Sequence, residues 1–374
     1  MDELNTISDE NLDSVTADQL WTENATPTSE YPTIYAHQYH AVIVATIAFL
    51  IGVTGIIGNC LVLVAISLSK KLQTSTNAFV SSLSVSDFLT STILPLQAIG
   101  ISSQTGWPLA PQLCHLIAAV GIQTNSTSIL TLTAIAVNRY ITITRSRRLQ
   151  QRIYTPLGIA AMIGAVWAFP FFSLVILQLF PKTGGLVYDP VFRSCIWDLN
   201  HPVSPVFQGI ASLTFVICTI IIIFCYVAIY VFVRRHVTGM QTRMKSNAAS
   251  TETLEADDGA GQEMHPKRTP SVKQINITKN LAIVVGVFFV CVLPYSLNLY
   301  VREYYISTAY LGLLLVLPAA LNPFIYAAKH PDFKIVFKCM FSCRYSDIPK
   351  PSGCLKAISQ QDNTTSSSKN TSSV

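Results

Sequence analysis

Seven long apolar stretches with one charged residue inside them limit the fold of this sequence more than any other feature. They cover about residues 41–66, 78–100, 112–137, 156–179, 205–233, 280–300 and 304–328, and the charged residue is Asp87. A hydrocarbon layer about 30 Å thick requires about 20 helical residues to cross it. Because unpaired backbone groups are costly in lipid, a crossing segment is a helix or part of a closed barrel, and barrel strands are much shorter. The sequence therefore predicts an all-α bundle of seven transmembrane helices.

The overall composition agrees with a membrane protein. Hydrophobic residues make up 50% of the 374 residues and charged residues only 12%, whereas about 25% of a typical soluble domain is charged. We therefore expect membrane lipids around the chain and no nucleic acid among its partners.

Lysine and arginine are distributed unevenly among the segments that connect the spans. Residues 1–40 have eight acidic residues and no Lys or Arg, and the segments on the same side have only Lys182, Arg193 and Arg302. The other 22 basic residues lie on the opposite side. Because short cytosolic segments of membrane proteins are rich in Lys and Arg, we expect an extracellular N-terminus, a cytosolic C-terminus and a plasma-membrane location.

The chain divides into four regions. In order, we expect an extracellular disordered N-terminus over 1–40, a membrane domain over 41–330 with a flexible third inner loop at about 236–275, a membrane-surface helix over 331–343, and a cytosolic disordered tail over 344–374. The loop and the two terminal regions are too polar to pack a core. Asn24 lies in an N-glycosylation sequence on the extracellular side and is expected to carry a glycan.

Short motifs occur in nearly every span, and their order resembles one family. They are Gly58-Asn59, Leu83-Ser-Val-Ser-Asp87, Cys114 with Asn138-Arg139-Tyr140, Trp167, Tyr226, Phe288 with Cys291-Val-Leu-Pro294, and Asn322-Pro323-Phe-Ile-Tyr326. From about Val44 to about Cys343 the chain resembles the rhodopsin-like (class A) G-protein-coupled receptors. Within that family, the Asn-Arg-Tyr motif and Phe224-Cys225-Tyr226 are most similar to the melatonin-receptor group and the neighbouring moody-type, orphan and fatty-acid receptors.

The resemblance implies a receptor and not an enzyme. An extracellular ligand would move the lower part of the sixth helix outward and so activate a heterotrimeric G protein. The residues that match the family's activation switch are Asn138, Arg139, Tyr140, Tyr226, Phe288, Pro294, Asn322, Pro323 and Tyr326. Most relatives have Asp where this chain has Asn138, and many have an acidic residue where it has Gln274. Because both restraints on Arg139 are neutral, we expect raised basal activity or a low barrier to activation.

Two departures from the family concern helix shape and the trigger of the switch. Cys218 in the fifth span replaces a proline, so the bulge that a proline causes is expected to be missing. Val292 in the sixth span replaces a tryptophan, so a tryptophan rotamer change cannot be the trigger. Pro294 and Pro323 remain and are expected to kink the sixth and seventh helices, since proline removes an internal hydrogen bond.

The resemblance also implies a disulfide and an ion site. Cys114 and Cys195 match cysteines that tie the second outer loop to the third helix, and the oxidising exterior permits the bond. Asp87 needs polar partners, because a carboxylate in a span costs at least about 2.5–3.5 kcal/mol. The matching positions, which in relatives surround a sodium ion, are Asn59, Asp87, Ser128 and Asn322. The alternative is a protonated Asp87 in a hydrogen-bonded network without sodium.

The outer half of the bundle is where the family binds its ligands. The matching positions are Gln97, Gly121, Ile122, Asn125, Arg193, Ile210, Thr214, Tyr295, Ser296, Leu299 and Gly312. Gly121 stands where amine receptors have Asp, and Val316 stands where opsins have the retinal-binding Lys, so neither a charged amine nor retinal is expected. The neutral, mostly apolar set suits a small lipophilic ligand. Arg193 is either a carboxylate-binding residue, which would favour a fatty-acid-like ligand, or a solvated loop cation.

The C-terminal part of the chain contains candidate modification and partner sites. Cys339 and Cys343 lie towards the end of the predicted surface helix and are candidates for palmitoylation. The Ser- and Thr-rich tail would be phosphorylated by a receptor kinase and then bound by arrestin. The terminal carboxylate with Ser372 and Val374 fits a PDZ-type ligand.

Other functions stay open at this point. A transporter usually has internal repeats or broken helices around a site at mid-membrane depth, and no repeat is visible in the sequence. Within the receptors, a peptide or an indoleamine is the alternative ligand, although Leu177 stands where the melatonin group is expected to have its indoleamine-binding Asn.

Overall fold

A computed structural model of the chain describes residues 33–35, 37–179, 185–250, 272–301, 306–353, 355 and 356. Side chains are described in these ranges except at 177, 179, 236–250, 272–281 and 299–301. The helices are α1 (Gln38–Leu68), α2 (Ser75–Ser102), α3 (Pro111–Thr144), α4 (Arg147–Ile153), α5 (Pro156–Pro170), α6 (Ser204–Ser250), α7 (Val272–Val301), α8 (Ile306–Val316), α9 (Pro318–Lys329) and α10 (Pro331–Phe341). The strands are β1 (Leu186–Asp189) and β2 (Ser194–Trp197).

The helices reproduce the seven predicted spans. Six segments are long and apolar enough to cross a membrane, namely α1, α2, α3, α5 with its continuation to Val175, α6 as far as Arg235, and α8 together with α9. In α7, a shorter apolar stretch covers Ala282–Asn298. Large apolar side chains on the outside of the bundle, such as Leu157, Phe172 and Val290, are highly exposed. That distribution suits a lipid environment and confirms the all-α bundle.

α1 and α2 pack closely because of one glycine and one proline. A Cβ atom added at Gly52 would lie 2.8 Å from Cδ of Pro95 and 2.9 Å from the carbonyl oxygen of Ser91. Pro95 has no N–H, so the Ser91 carbonyl lacks its usual donor one turn later in the helix. The backbone of α1 therefore approaches α2 at the point where proline frees a carbonyl group.

One end of the bundle, here called the disulfide end, is covered by a hairpin. β1 and β2 pair antiparallel, and the disulfide between Cys114 and Cys195 joins β2 to the start of α3, as predicted. The backbone N–H of Ile34 donates to the carbonyl oxygen of Val191 at 3.1 Å, and Ile34 and Tyr35 are buried. The prediction of a disordered region over 1–40 is therefore wrong for residues 33–35, because two apolar side chains there pack under the hairpin.

The other end, here called the Arg139 end, differs from the prediction in the length of its helices. α6 continues to Ser250 and α7 begins at Val272, so part of the segment that was assigned to a flexible loop at 236–275 is helical. Extending an existing helix costs far less than starting a new one, which explains how polar residues continue α6. α6 is also uninterrupted at Cys218, as the missing proline predicts.

Prolines shape two further spans. Pro170 ends α5 and is followed by a wider helical turn at Phe171–Val175. The seventh span is interrupted at Leu317, immediately before Pro318, whereas Pro323 lies inside α9. Pro294 lies inside α7. The interruption of the seventh span thus comes six residues before the expected kink at Pro323, because Pro318 cannot donate a hydrogen bond to the preceding turn.

Residues 345–353 fold back onto the turn between α1 and α2. The N–H of Ser352 donates to the carbonyl oxygen of Leu68 at 2.9 Å, and Ser69 Oγ donates to the carbonyl oxygen of Pro349 at 2.6 Å. Ile348 is only 2% exposed, and Leu355 further on is also buried. The prediction of a disordered tail from residue 344 is therefore wrong for this segment, because it pairs its backbone and buries apolar side chains.

Candidate functional site in the helix bundle

A polar network surrounds Asp87 in the middle of the bundle. Asn322 Nδ2 donates to Oδ2 of Asp87 at 2.7 Å, and Ser128 Oγ donates to Oδ1 at 3.4 Å. Ser86 Oγ lies 3.0 Å from Ser128 Oγ and donates to the carbonyl oxygen of Thr124. Three helices, α2, α3 and α9, therefore meet at one buried carboxylate, and the structure brings together Asp87, Ser128 and Asn322 as predicted.

Asn59 belongs to the same part of the bundle but has other partners. Its Nδ2 donates to the carbonyl oxygens of Ala319 at 2.7 Å and Gly55 at 2.9 Å, which links α1 to α9. Within the described chain, the buried Oδ1 atoms of Asn59 and Asn322 accept no hydrogen bond. Burying an unpaired oxygen is unfavourable, so these oxygens and the Asp87 carboxylate suit a bound water or a hard cation, which prefers oxygen ligands.

Arg139 lies buried at the opposite end from the disulfide, 6% exposed. Its Nε has no hydrogen-bond partner among the described residues, and the phenol of Tyr226 interacts electrostatically with its guanidinium group. The neighbouring Asn138 does not take the place of an acidic partner, because its Oδ1 accepts a hydrogen bond of 2.7 Å from Thr76 Oγ1 on α2. Asn138 therefore joins α3 to α2, and no carboxylate among the described residues pairs with the Arg139 guanidinium.

Two of the three tyrosines of the predicted switch, Tyr226 and Tyr326, have buried hydroxyl groups near this end of the bundle. The hydroxyl groups of Tyr226 and Tyr326 are buried and have no hydrogen-bond partner in the described chain. Phe288 and Val292 are buried in the same apolar cluster as Leu132 and Tyr326, and Tyr226 packs against it. The hydroxyl groups of the two tyrosines therefore lie beside an apolar cluster with no partner among the described residues. The side chain of Gln274 lies outside the described residues.

At the disulfide end, two of the predicted ligand residues hold the hairpin in place. Gln97 Nε2 donates to the carbonyl oxygen of Cys195, and the N–H of Cys195 donates to Gln97 Oε1, each at 3.0 Å. Arg193 Nη1 donates to Gln38 Oε1 at 2.7 Å, and its guanidinium lies 5.6 Å from the centre of the Tyr35 ring. Arg193 therefore contacts α1 and the N-terminal segment, so it is not a cation that only solvent surrounds.

The remaining predicted pocket residues lie on the inner walls of α3, α6, α7 and α8. Gly121, Ile122, Asn125, Ile210, Thr214, Tyr295, Ser296 and Gly312 are half-buried, and the side chain of Leu299 lies outside the described residues. Thr214 Oγ1 donates to Ile210 O, and Ser296 Oγ donates to Val292 O, so both hydroxyl groups are used within their own helices. Asn125 forms no hydrogen bond with a described residue.

Several structural contacts were not visible in the sequence. Trp167 Nε1 donates to Ser82 Oγ at 3.0 Å, which fixes α5 against α2. Gln123 Nε2 donates to the carbonyl oxygen of Trp167 at 2.9 Å. Such contacts, like the one between Thr76 and Asn138, depend on which side chains of distant helices meet, and no spacing within one helix indicates them.

The predicted modification sites are only partly within the described chain. α10 buries Phe333, Val336 and Phe337 on one face, which confirms the amphipathic helix, and Cys343 just after it is exposed. Cys339 is half-buried. Asn24, Ser372 and Val374 lie outside the described residues.

The bundle, its disulfide and the polar network around Asp87 define the architecture of a membrane receptor. Residues 58–326 match the family "7 transmembrane receptor (rhodopsin family)". The chain belongs to this family, which consists of receptors and not of enzymes.

Known proteins that resemble the chain agree with that assignment. The octopamine receptor beta-2R of Chilo suppressalis is 26% identical over 332 residues, covering 82% of this chain and 81% of the receptor. The G-protein coupled receptor moody of Drosophila melanogaster is 26% identical over 363 residues, covering 83% of this chain and 52% of moody. The crystal structure of squid rhodopsin has the same fold, with a TM-score of 0.66, 19% identity, and coverage of 88% of this chain and 93% of the rhodopsin.

Proposed function

We propose that this receptor binds a small, lipophilic, uncharged ligand from outside the cell and activates a heterotrimeric G protein. The observation that carries the proposal is the absence of a carboxylate at Gly121. In the described part of the disulfide end, the two carboxylates are already used. Asp189 accepts from the N–H groups of Val191 and Phe192, and Asp198 accepts from that of Asn200. Neither of these two described carboxylates is therefore free to pair with a protonated amine.

The similarity to an octopamine receptor and to squid rhodopsin does not establish that this chain binds the ligands of those proteins. An amine ligand would need the acidic residue that Gly121 replaces. A retinal Schiff base would need a lysine at Val316, and α8 contains none. The half-buried set around Asn125 and Tyr295 instead offers mostly apolar side chains and the amide of Asn125, which has no hydrogen-bond partner among the described residues. That set suits a mostly apolar ligand with a single polar group.

The position of Arg193 favours an uncharged ligand over a fatty acid. Its guanidinium group donates to Gln38 and stacks over Tyr35. A carboxylate ligand would have to replace these contacts, which hold the N-terminal segment against the hairpin. A fatty-acid-like ligand is therefore the second candidate, and it requires Arg193 to turn away from α1.

We infer an activation switch centred on Arg139. Its Nε and the hydroxyl groups of Tyr226 and Tyr326 are buried and have no hydrogen-bond partner among the described residues. Because unpaired buried polar groups are costly, a rearrangement in which they meet each other or a G protein lowers the free energy of the active state. Outward movement of the part of α7 at the Arg139 end is the step that would open this end of the bundle.

The orientation in the membrane follows from charge. We propose that the Arg139 end faces the cytosol, since 22 of the 25 Lys and Arg residues belong to segments on that side. Palmitoylation at Cys343 and Cys339, phosphorylation of the tail with arrestin binding, and a PDZ-type contact at Val374 are proposals of the same kind. They rest on exposed or half-buried thiols and on the Ser-rich sequence.

We also propose that sodium binds beside Asp87. Asp87, Ser128 and Asn322 would hold it, and the unpaired Oδ1 of Asn59 supplies a further oxygen in this region. The ion would add a positive charge that favours the ionised carboxylate and the inactive packing. Raising sodium should lower basal signalling of the parent and leave an Asp87→Asn variant unchanged; an equal response in both would contradict the site.

The ligand proposal is tested by nucleotide exchange on a panel of G proteins. Membranes containing the receptor are exposed to neutral lipids, fatty acids, indoleamines and biogenic amines. We expect activation by a neutral lipophilic compound, with lower potency in Asn125→Ala because its unpaired amide is lost. Thr214→Val is the matched control, since the Thr214 hydroxyl is already used within α6. Activation by an amine would refute the ligand class, and uptake of a tracer without nucleotide exchange would indicate a transporter.

A further inference from the structure

A groove of about 840 Å³ lies on the outside of the bundle near the Arg139 end, between α3 and α6. Its apolar floor includes Ile220, Phe224 and Val227, which are 62%, 60% and 56% exposed. These positions follow helical spacing, so they form one continuous stripe along α6. Because they face away from the bundle, their surroundings in the cell are the acyl chains of the membrane.

Two arginines also line this groove. Arg145 at the end of α3 and Arg235 on α6 are both exposed, and none of the groove-lining residues is acidic. Cations are common at the cytosolic ends of membrane helices, and here two of them border the same apolar groove. The groove therefore combines an apolar channel with a cationic mouth.

The first of these cations is oriented by a tyrosine. Arg145 Nη2 donates to the hydroxyl group of Tyr140 at 2.8 Å, and its Cζ lies 5.5 Å from the centre of that ring. The Tyr140 ring in turn lies 5.8 Å from the ring of Phe224 across the groove. A guanidinium group is planar, and the arrangement of its N–H groups matches the oxygens of a phosphate.

We propose that this groove binds an anionic phospholipid of the leaflet at the Arg139 end. One acyl chain lies along Ile220, Phe224 and Val227, and the phosphate contacts Arg145 and Arg235. Charge complementarity selects the occupant: a zwitterionic lipid brings its own cation to the mouth, whereas an anionic lipid brings only the negative charge that two arginines attract. The site is independent of the extracellular ligand pocket.

The test uses the full-length receptor in nanodiscs of phosphatidylcholine and phosphatidylserine. Native mass spectrometry counts the phosphatidylserine molecules that remain bound. Arg145→Gln with Arg235→Gln should weaken retention at least about tenfold, because hydrogen bonds between charged groups at the phosphate are lost. The matched control, Lys334→Gln with Lys338→Gln, removes two exposed cations from α10 at the same end and should change retention much less.

A second variant tests the apolar part of the groove without changing its charges. Val227→Trp fills the channel and should lower phosphatidylserine retention, whereas Leu213→Trp, on an equally exposed part of α6 outside the groove, should not. Equal losses in the arginine and lysine variants would mean diffuse attraction and overturn the site. So would parental retention in Val227→Trp. Unchanged lipid retention with weaker G-protein coupling in the arginine variant would assign the two cations to a protein contact instead.

Discussion

Replacing Gly52 by alanine tests the contact that brings α1 against α2. The new Cβ would lie 2.9 Å from a backbone oxygen, that of Ser91, and 2.8 Å from the ring of Pro95. Neither group is the free end of a flexible side chain, so a helix must shift. Overpacking of this kind costs about 1–3 kcal/mol, and alanine regains about 0.5–1 kcal/mol of helix stability over glycine. We therefore expect a net loss of about 1–2 kcal/mol.

Gly164→Ala is the matched control for this prediction. Gly164 lies in the middle of α5, and a Cβ added there meets no atom within 4 Å. The substitution should be neutral or stabilise by about 0.4–1 kcal/mol, because it only restricts the unfolded chain. The difference between the two variants isolates the overpacking energy from the change in helix propensity.

Buried cysteines of the receptor can report its thermal unfolding. Cys218, Cys225 and Cys291 are buried thiols, so a thiol-reactive fluorophore reports their exposure as the purified receptor is heated. We expect the thermal midpoint of Gly52→Ala to fall several degrees below that of the parent, and that of Gly164→Ala to stay equal or rise. A midpoint for Gly52→Ala at or above that of Gly164→Ala would refute the close contact.

Three further perturbations address the switch, the tail and the hairpin. Asn138→Asp should lower basal nucleotide exchange, because a carboxylate beside Arg139 supplies the charge that the amide lacks; no fall would contradict this account. Ile348→Ala should make the segment after α10 several-fold more sensitive to limited proteolysis, whereas Ile335→Ala, at a 43% exposed position, should not. Burial raises the pKa of Asp189 above its ordinary value of 3.8, so this group favours the folded hairpin at low pH and loses that contribution as the pH rises through its folded pKa. Asp189→Asn should flatten this dependence of the thermal midpoint, and an unchanged pH profile would count against it.

Some site residues were predicted from the resemblance of short motifs to a known family. The structure agrees with these predictions at some residues and differs from them at others. The disulfide between Cys114 and Cys195 formed as expected, and Asn322 reached Asp87. Arg193 did not stand free over the pocket, because Gln38 and Tyr35 lie within its reach. Asn138 turned to Thr76 and not to Arg139. In both cases the partner lies far away in the sequence, so neighbouring residues did not reveal it.

The seven spans, the all-α architecture and the receptor family were determined by the sequence alone. Lipid offers no hydrogen bonds to a backbone, so about 20 apolar residues in a row have few alternatives to a helix. Only the tertiary structure decided the details that depend on which segments meet. The docking of Ile348 under the turn after α1, the freed Ser91 carbonyl against Gly52, and the cationic mouth formed by Arg145 and Arg235 join residues far apart in the chain. Their energies come from packing and charge across helices, which no single stretch of sequence contains.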